Sequence, residues 1–258
     1  MKRTLIITGG ASGIGAATAR IAAGQGYDIA VNFRSREQQA IALVDELRGT
    51  GVRAVAVRAD VSVAADVERL FSVVDDAELG PLTALVNSAG VSLPGVSVHD
   101  ADPAALERLM RTNVTGLMIC CREAVRRMST RRGGAGGVIV NVSSMAATIG
   151  GRPGSSHYAA SKAAVDAYTV GLAKEVAPEG IRAVSVRPGF TVTDMASSQL
   201  SDPAFAAAIR ASIPMARPAR ADEIAAPIAW LLSDDASFVS GACLDVSGGG
   251  FVVGSRGS

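Results

Sequence analysis

The fold is decided by residues 5–15, which are Leu5-Ile6-Ile7-Thr8-Gly9-Gly10-Ala11-Ser12-Gly13-Ile14-Gly15. A short apolar run leads directly into a glycine-rich turn, and a helical pattern follows over residues 13–25. In that context Gly9 can adopt backbone angles closed to other residues, while Gly13 and Gly15 let the backbone approach a pyrophosphate at the positive end of a helix. A glycine-rich turn can also be only a turn. The strand and helix on either side of it favour nucleotide binding.

Short apolar runs and longer helical patterns alternate along the whole chain. The predicted strands are Leu5–Thr8, Asp28–Phe33, Arg53–Arg58, Ala84–Asn87, Val138–Ser143, Arg182–Arg187 and Cys243–Val246. The predicted helices cover residues 13–25, 37–48, 64–77, 103–128, 157–177 and 222–233. Strands that are apolar throughout are typical of a parallel sheet buried on both faces. The sequence therefore predicts one α/β domain over residues 1–258, with a Rossmann-type, doubly wound, parallel seven-stranded sheet flanked by helices on both faces. The segment Thr193–Pro218 fits this pattern poorly, and we expect it to be a lid over a site.

Composition narrows the class of protein. The 258 residues are 48% hydrophobic and 19% charged, with a net charge of +1, which argues against disorder and against nucleic acid as a partner. The three cysteines lack metal-ligand spacing, and a reduced intracellular chain is the simplest interpretation. The N-terminus lacks the hydrophobic core of a secretion signal, and no apolar run approaches the roughly 20 residues of a membrane span. We expect a cytoplasmic protein without a membrane partner and without a metal site.

The end of the second predicted strand indicates which dinucleotide is bound. NAD sites tend to place a carboxylate there for the ribose 2′-hydroxyl, whereas NADP sites place an arginine. The chain has Arg34 and Ser35 at this point, and its first carboxylate afterwards is Glu37. Arg34 could pair with a 2′-phosphate and Ser35 could donate a hydrogen bond to it, so NADP is favoured and NAD remains possible. In the alternative, Arg34 is a solvated loop residue.

Tyr158 and Lys162 are four residues apart in a predicted helix, so their side chains lie on one face, one turn apart. An ammonium about 4 Å from the phenol, at an effective dielectric of about 20, would lower the pKa of the tyrosine by roughly 3. That would bring Tyr158 close to working pH, where a general acid or base is most effective. Taken alone, the pair is more often part of a half-buried helix face.

Together these features resemble the short-chain dehydrogenase/reductase family, and the resemblance covers nearly the whole chain. The turn has the family form Thr-Gly-x-x-x-Gly-x-Gly, and Asn87-Ser88-Ala89-Gly90 resembles the family's Asn-Asn-Ala-Gly with one change. Asn113 matches the family's catalytic asparagine. Together with Arg34 and Ser35, the resemblance implies cofactor contacts at Gly9, Ser12, Gly13, Ile14, Gly15, Asp60, Val61, Asn87, Ala89, Gly90, Tyr158, Lys162, Pro188, Gly189 and Thr193.

The catalytic serine that the resemblance implies needs a choice between neighbours. In the family it usually precedes the tyrosine by 13 residues, a position that Met145 occupies here. Methionine cannot donate a hydrogen bond. Ser144 stands at the end of a predicted strand, and an extra residue in the loop that follows would explain the spacing. Ser143 is the fallback, although neighbours in a strand point to opposite faces.

The resemblance implies hydride transfer between a nicotinamide and a carbonyl or secondary alcohol. Ser144 and Tyr158 would hydrogen-bond the substrate oxygen, Lys162 would hold the nicotinamide ribose, and Asn113 would position a water linking Lys162 to solvent. In the alternative, Asn113 is a buried polar group that satisfies backbone atoms. A non-catalytic NADP-binding sensor on the same fold is a second hypothesis, and an epimerase or dehydratase that retains its cofactor is a third. Family members commonly pair through the helices near 103–128 and 157–177, which implies a homotetramer.

The substrate is not named by the sequence. The expected walls are 91–100, 145–157 and 195–214, which are mostly apolar. Arg152 and His157 are the polar exceptions, and this composition predicts no obligatory carboxylate or phosphate clamp. The loops look closest to those of sugar dehydrogenases and 3-oxoacyl thioester reductases of the family.

Overall fold

A computed structural model describes residues 3–193 and 200–250. In this part of the chain, seven parallel strands form one sheet in the order β3-β2-β1-β4-β5-β6-β7. The strands are β1 Arg3–Thr8, β2 Tyr27–Phe33, β3 Ala54–Arg58, β4 Leu82–Asn87, β5 Gly137–Val142, β6 Ile181–Pro188 and β7 Cys243–Val246. The predicted fold class is confirmed, and the strand bounds agree to within three residues.

Helices connect the strands and cover both faces of the sheet. They are α1 Gly13–Gly24, α2 Glu37–Gly49, α3 Ala64–Asp75, α4 Pro103–Met110, α5 Leu117–Met128, α6 Ala146–Ile149, α7 Ser156–Val176, α8 Pro203–Ala211 and α9 Ala221–Leu232. The single helix predicted over 103–128 is instead two helices joined by a π-helical turn, Arg111–Gly116. Such turns often occur at functional sites. None of the described helices is long and apolar enough to cross a membrane.

Core side chains lie on both faces of the sheet, which explains why the strands are apolar throughout. In β1, Leu5 and Ile7 pack into one layer and Ile6 into the other, and all three are fully buried. Truncating such a side chain to alanine typically costs about 2–5 kcal/mol. Burial on both faces also requires a specific strand register, because a slip by one residue exchanges the two faces.

The order of the strands positions a crevice. The chain runs outward from β1 to β3 and then returns to the other side of β1 with β4. The connections after β1 and β4 therefore diverge to opposite sides, and the carboxyl ends of these strands border an open crevice. The glycine turn follows β1 and the segment Ser88–Gly90 follows β4, so the fold brings two predicted cofactor segments to this crevice.

The predicted lid, Thr193–Pro218, is more regular than expected where the structure describes it. It contains α8, which begins at a proline and is capped by Asp202, whose carboxylate accepts a hydrogen bond from the Ala204 N–H at 2.9 Å. The residue after the lid is hydrogen-bonded to the segment before it, because the Ala219 N–H donates to the Phe190 carbonyl at 2.9 Å. Residues 194–199 of the lid lie outside the described part. Its action as a lid stays a prediction.

Candidate active site

A cleft with a volume of about 800 Å³ lies at the carboxyl ends of the strands. It brings together most of the residues predicted for the site. Those that line it are Gly9, Ser12, Gly13, Ile14, Arg34, Ser35, Asp60, Val61, Ala89, Gly90, Ser144, Tyr158, Lys162, Pro188, Gly189 and Thr193. Three predicted residues, Gly15, Asn87 and Asn113, do not line it.

The glycine turn forms the floor of the cleft where α1 begins. Gly9 has φ +62° and Gly13 has φ +54°, both in the left-handed region that favours glycine. A Cβ on Gly9 would lie 2.8 Å from the Ala89 Cα, so the β1 and β4 loops touch backbone to backbone. The side chain of Ser12 makes no capping hydrogen bond to α1. The positive end of this helix therefore faces the cleft without a side-chain cap.

Gly15 serves the turn rather than the cleft. A Cβ at this position would lie 2.6 Å from the Gly9 carbonyl oxygen, so glycine is needed for the helix to pack on its own turn. The sequence interpretation, that Gly15 lets the backbone approach a pyrophosphate, stays a prediction. Sequence reasoning also missed Asn32, whose Oδ1 accepts from the Gly9 N–H at 3.3 Å and whose Nδ2 donates to the Ala59 carbonyl at 3.0 Å. A polar residue within a buried strand was the available signal.

At the β2 and β3 end of the cleft, Arg34 and Asp60 face each other. Their closest charged atoms, Nη1 and Oδ2, are 3.8 Å apart, and the Arg34 side chain is 60% exposed. The Asp60 carboxylate also accepts from the Ser62 N–H at 2.9 Å and from its hydroxyl at 2.7 Å. Asp60 is therefore held in place, and it keeps the exposed guanidinium of Arg34 beside the cleft.

Asn87 is turned into the core instead of the cleft. Its Nδ2 donates to the Asn141 Oδ1 at 2.9 Å and lies 3.3 Å from the Cys121 Sγ, and the residue is 2% exposed. The contact with the cofactor that we expected for Asn87 stays a prediction, and its side chain points away from the cleft. The hydrogen bond between Asn87 and Asn141 links β4 to β5 below the site. The residues that follow, from Ser88 to Ser92, line the cleft.

The side chains of Ser144 and Tyr158 both line the cleft, and they are close enough for the Ser144 hydroxyl to act on the pKa of Tyr158, which it lowers. The Ser144 Oγ also accepts from the Ala146 N–H at 3.1 Å, which orients the serine. Ser143 points the other way, because its hydroxyl donates to the Lys162 carbonyl at 3.1 Å. Met145 is buried in the wall of the cleft. Of the three neighbours considered, the structure brings Ser144 to Tyr158.

Lys162 lies beside Tyr158, yet the pKa of Tyr158 is raised in this structure. The Lys162 Nζ is 5.8 Å from the centre of the tyrosine ring and donates to the Val142 carbonyl at 2.8 Å. Burial raises the pKa of Tyr158, against the opposing effect of the hydrogen bond from Ser144. Burial also lowers the pKa of Lys162 to about 8, while the charge of Asp166 acts to raise it. The expectation of a lowered tyrosine pKa was wrong here, because desolvation outweighs a lysine that is farther away than we assumed.

Asn113 lies in the π-helical turn, and its amide is occupied by the protein itself. Its Oδ1 accepts from the Val91 N–H at 2.8 Å, and its Nδ2 donates to the Val91 carbonyl at 2.9 Å and to the Ser161 Oγ at 3.1 Å. These contacts match the alternative in which Asn113 is a buried polar group. A Cβ on Gly90 would lie 3.5 Å from the Asn113 Oδ1 and 3.6 Å from the Lys162 Nζ, so Asn113 still packs close to the lysine. The water relay stays a prediction.

The sequence analysis missed a row of charged residues behind Lys162, which runs from the buried Asp166 to the exposed Asp245. Asp166, one turn after Lys162 on α7, accepts from the Ser185 hydroxyl at 2.8 Å and from the Arg187 Nε at 2.7 Å. Arg187 also pairs with Asp245 at 3.3 Å. Arg187 directly precedes Pro188 of the cleft, so the charged contacts of Asp166, Arg187 and Asp245 connect α7 to the ends of β6 and β7. The spacing of Asp166 from Lys162 was a weak signal, but its partners are distant in sequence.

The other end of the cleft is mostly apolar, as expected for a substrate pocket. Met145, Ile149 and Phe205 of the predicted wall line it, and Phe190 joins them. The predicted wall residue Met195 lies outside the described part of the chain. Arg152 also lines this end, whereas the ring of His157 is tied by Nε2 to the Leu93 carbonyl at 2.8 Å.

Comparison with known proteins agrees with this geometry. Residues 9–250 match the family model described as enoyl-(acyl carrier protein) reductase. The chain is 43% identical over 244 residues to an uncharacterized oxidoreductase, YgfF, of Escherichia coli, with 95% of this chain and 98% of the relative covered. It is 40% identical over 252 residues to cis-4-hydroxycyclohexanecarboxylate dehydrogenase of Sinomonas cyclohexanicum, with 96% of each covered.

Solved structures resemble the whole fold. A short-chain dehydrogenase from Burkholderia cenocepacia in complex with NADP has a TM-score of 0.87 and 35% identity, with 96% of this chain and 97% of the other covered. A 3-ketoacyl-(acyl-carrier-protein) reductase from Brucella melitensis, complexed with NADH, has a TM-score of 0.86 and 30% identity, with the same coverage.

Fold, cleft and relatives together define a nicotinamide-dependent oxidoreductase. The chain belongs to the short-chain dehydrogenase/reductase family.

Proposed function

We propose that this oxidoreductase transfers a hydride reversibly between NADP(H) and a carbonyl or secondary alcohol substrate, with Tyr158, Ser144 and Lys162 as its catalytic residues. The observation that carries the proposal is that Ser144, Tyr158 and Lys162 line one cleft, with Ser144 close enough to lower the pKa of Tyr158 and Lys162 beside the tyrosine ring. Two neutral donors that meet at one point can bind one oxygen atom of a substrate between them.

The residues present fit a nicotinamide dinucleotide. The turn at Gly9 and Gly13 offers bare backbone and the uncapped start of α1 to a pyrophosphate. Asp60 and Val61 would contact the adenine, and Pro188, Gly189 and Thr193 would contact the nicotinamide; all five line the cleft. When bound, the nicotinamide supplies or accepts the hydride.

Side chains of the protein supply the proton and stabilise the charge that its transfer leaves. In the direction of reduction, Ser144 donates a hydrogen bond to the substrate carbonyl oxygen, and the Tyr158 hydroxyl gives that oxygen its proton. The charge of Lys162 favours the phenolate that remains on Tyr158. Because burial raises the pKa of Tyr158, the tyrosine holds its proton firmly until the substrate oxygen gains negative charge. Oxidation of an alcohol is the same sequence in reverse.

NADP is the proposed cofactor because Arg34 stands exposed at the end of β2. Its partner Asp60 is 3.8 Å away at the end of β3, so the guanidinium is kept at the cleft without being buried. A 2′-phosphate placed there would gain charge-assisted hydrogen bonds from Arg34, and Ser35 lines the same wall. The relatives with bound cofactors include one with NADP and one with NADH, so the preference rests on Arg34.

We also propose that the protein is a homotetramer. Exposed apolar side chains support an association of subunits. Among the described residues they include Met110, 39% exposed, Trp230, 42% exposed, and Phe238, which is fully exposed. Light scattering during size-exclusion chromatography tests this, and a monomer mass at micromolar concentration would contradict it.

The test of function is oxidation of NADPH and NADH in the presence of a carbonyl panel, with Tyr158→Phe as the control. The panel contains ketones, aldehydes, quinones and 3-oxoacyl thioesters. It also contains 4-oxocyclohexanecarboxylate, because one relative is named for the corresponding hydroxy acid. We expect NADPH oxidation that depends on Tyr158, with NADPH binding retained in the variant. Tight NADPH binding without turnover of any panel member would instead favour the sensor hypothesis.

A further inference from the structure

Two aromatic side chains meet at the substrate end of the cleft. Phe190 directly follows Pro188 and Gly189, and Phe205 lies in the first turn of α8. Both line the cleft, their ring centres are 5.9 Å apart, and the two ring planes are inclined at 61° to each other. Both residues are half-buried, so part of their surface is free for contact. The two rings therefore form an apolar corner rather than a flat wall.

A second wall of the cleft, residues 91–95, is held in place by hydrogen bonds. The amide of Asn113 accepts from the Val91 N–H at 2.8 Å and donates to the Val91 carbonyl at 2.9 Å. The Leu93 carbonyl accepts from the His157 Nε2 at 2.8 Å. All residues of the segment except Leu93 line the cleft. This wall cannot move outward without breaking these bonds.

The aromatic corner and the second wall stand on either side of the catalytic groups. Segment 91–95 follows β4, Ser144 follows β5 and Phe190 follows β6, and these three strands are neighbours in that order. Strands two apart in a sheet lie about 10 Å from each other. A Cβ on Gly154 would lie 2.9 Å from the Gly95 Cα, so the loop before α7 also touches this wall backbone to backbone. The space beside Ser144 is therefore narrow and bounded by a rigid wall.

A ring suits such a space better than a flexible chain does. The face of a phenyl ring carries the negative part of its quadrupole, so it attracts C–H groups that point at it. A cyclic ketone presents C–H groups in fixed directions on both of its faces. An open-chain ketone must instead lose the freedom of its rotatable bonds when it binds. The aromatic corner therefore favours a rigid, compact substrate.

Resting on the proposed function, we propose that Phe190 and Phe205 hold a ring of the substrate, so that the enzyme acts on cyclic ketones and the corresponding cyclic alcohols in preference to open-chain ones. The carbonyl group would point to Ser144 and Tyr158, and the body of the ring would fill the corner beside Met145, which is buried in the same part of the cleft. The two phenylalanines thereby determine the substrate class that the sequence leaves open.

The experiment compares two ketones with the same number of carbon atoms, cyclohexanone and 3-hexanone. The measured quantity is the ratio of kcat/KM for the cyclic ketone to kcat/KM for the open-chain ketone, with NADPH saturating. Cyclohexanone is intrinsically the more reactive of the two, so the informative result is the change of this ratio between protein variants. Where other members of the carbonyl panel react faster, the fastest cyclic and the fastest open-chain members replace the two probes.

Phe190→Leu and Phe205→Leu should each lower the ratio about three- to tenfold, because leucine keeps apolar volume at the corner but loses the ring face. Phe205→Tyr should leave the ratio unchanged, because tyrosine keeps the ring. Phe238→Leu is the matched control, since it makes the same chemical change at a fully exposed phenylalanine that does not line the cleft. Its ratio should equal that of the original protein.

NADPH affinity and thermal unfolding of each variant identify any that have lost the fold, and the two leucine variants test the corner independently. Unchanged ratios in folded Phe190→Leu and Phe205→Leu would overturn the ring site and leave the proposed reaction intact, as would turnover confined to open-chain ketones. Absence of Tyr158-dependent turnover with both probes and with the wider panel would instead defeat the proposed function, and this inference with it.

Discussion

Replacing Asp166 by asparagine should shift the alkaline limb of the pH–rate profile to lower pH. Lys162 must be protonated to favour the Tyr158 phenolate, and burial already lowers the pKa of this lysine to about 8. The carboxylate of Asp166 opposes that effect. Tyr158 and Asp166 flank Lys162 on α7, and from the sheet Arg187 on β6 and Asp245 on β7 complete the row of charged residues. Without the carboxylate, Lys162 loses its proton at lower pH.

The size of the shift follows from the helix. Charges one turn apart, about 6 Å, interact by about 3 kcal/mol at an effective dielectric of about 20, which corresponds to about two pH units. Arg187 binds the same carboxylate at 2.7 Å and offsets part of its charge. We therefore expect the fall of kcat/KM on the alkaline side to begin about one pH unit earlier in Asp166→Asn.

The assay is kcat/KM for ketone reduction between pH 6 and about 10. Asp245→Asn is the control, because it makes the same chemical change at the far end of the row of charged residues, where Asp245 pairs with Arg187. Its profile should stay close to that of the original protein. Thermal unfolding separates an effect on pKa from a loss of fold. Identical alkaline limbs in folded Asp166→Asn and the original protein would refute the reasoning.

Three further results follow from contacts in the structure. Arg34→Ala should weaken NADPH binding about ten- to a hundredfold and NADH binding much less. Fluorescence titration measures both affinities, and equal losses would remove the argument for NADP. Ser144→Ala should lower kcat about a hundredfold in steady-state kinetics. Ser143→Ala should lower kcat far less, because the Ser143 hydroxyl contacts only backbone of α7 in the described structure. The reverse order would assign the catalytic role to Ser143. Gly116→Ala should lower the free energy of unfolding by about 1–3 kcal/mol, because a Cβ there would lie 2.5 Å from a backbone carbonyl oxygen. Gly171→Ala, in open space on α7, should instead raise it by up to about 1 kcal/mol. Denaturant unfolding measures both changes, and similar values for the two variants would contradict this prediction.

The topology was predictable because it depends on patterns that are local in sequence. Strands such as β1, buried on both faces, are apolar without alternation, and the helices between them require parallel pairing. The choice of Ser144 over Met145, which stays a prediction, rests on a related reason. The end of β5 sets which side chain reaches the cleft, whereas a residue count fails when a loop gains a residue.

Interactions between distant segments were not predictable. The amide of Asn113 is occupied by Val91 and Ser161, which meet only in the folded chain. The pKa of Tyr158 depends on burial and on where the Lys162 ammonium rests, and neither is a property of their spacing. The helix in the lid is hard to predict because its first residues, Asp202 and the proline after it, occur in irregular turns as well as at the start of a helix.

The central claim is that this cleft passes a hydride to a carbonyl carbon while Tyr158 supplies the proton. The most direct measurement uses NADPH that carries deuterium at both C4 positions of the nicotinamide, with the mass of the alcohol product as the readout. The account predicts an alcohol that carries one deuterium at the carbinol carbon, and no such product from Tyr158→Phe that still binds NADPH. An alcohol without the label, or labelled product formed by Tyr158→Phe at the original rate, would contradict it.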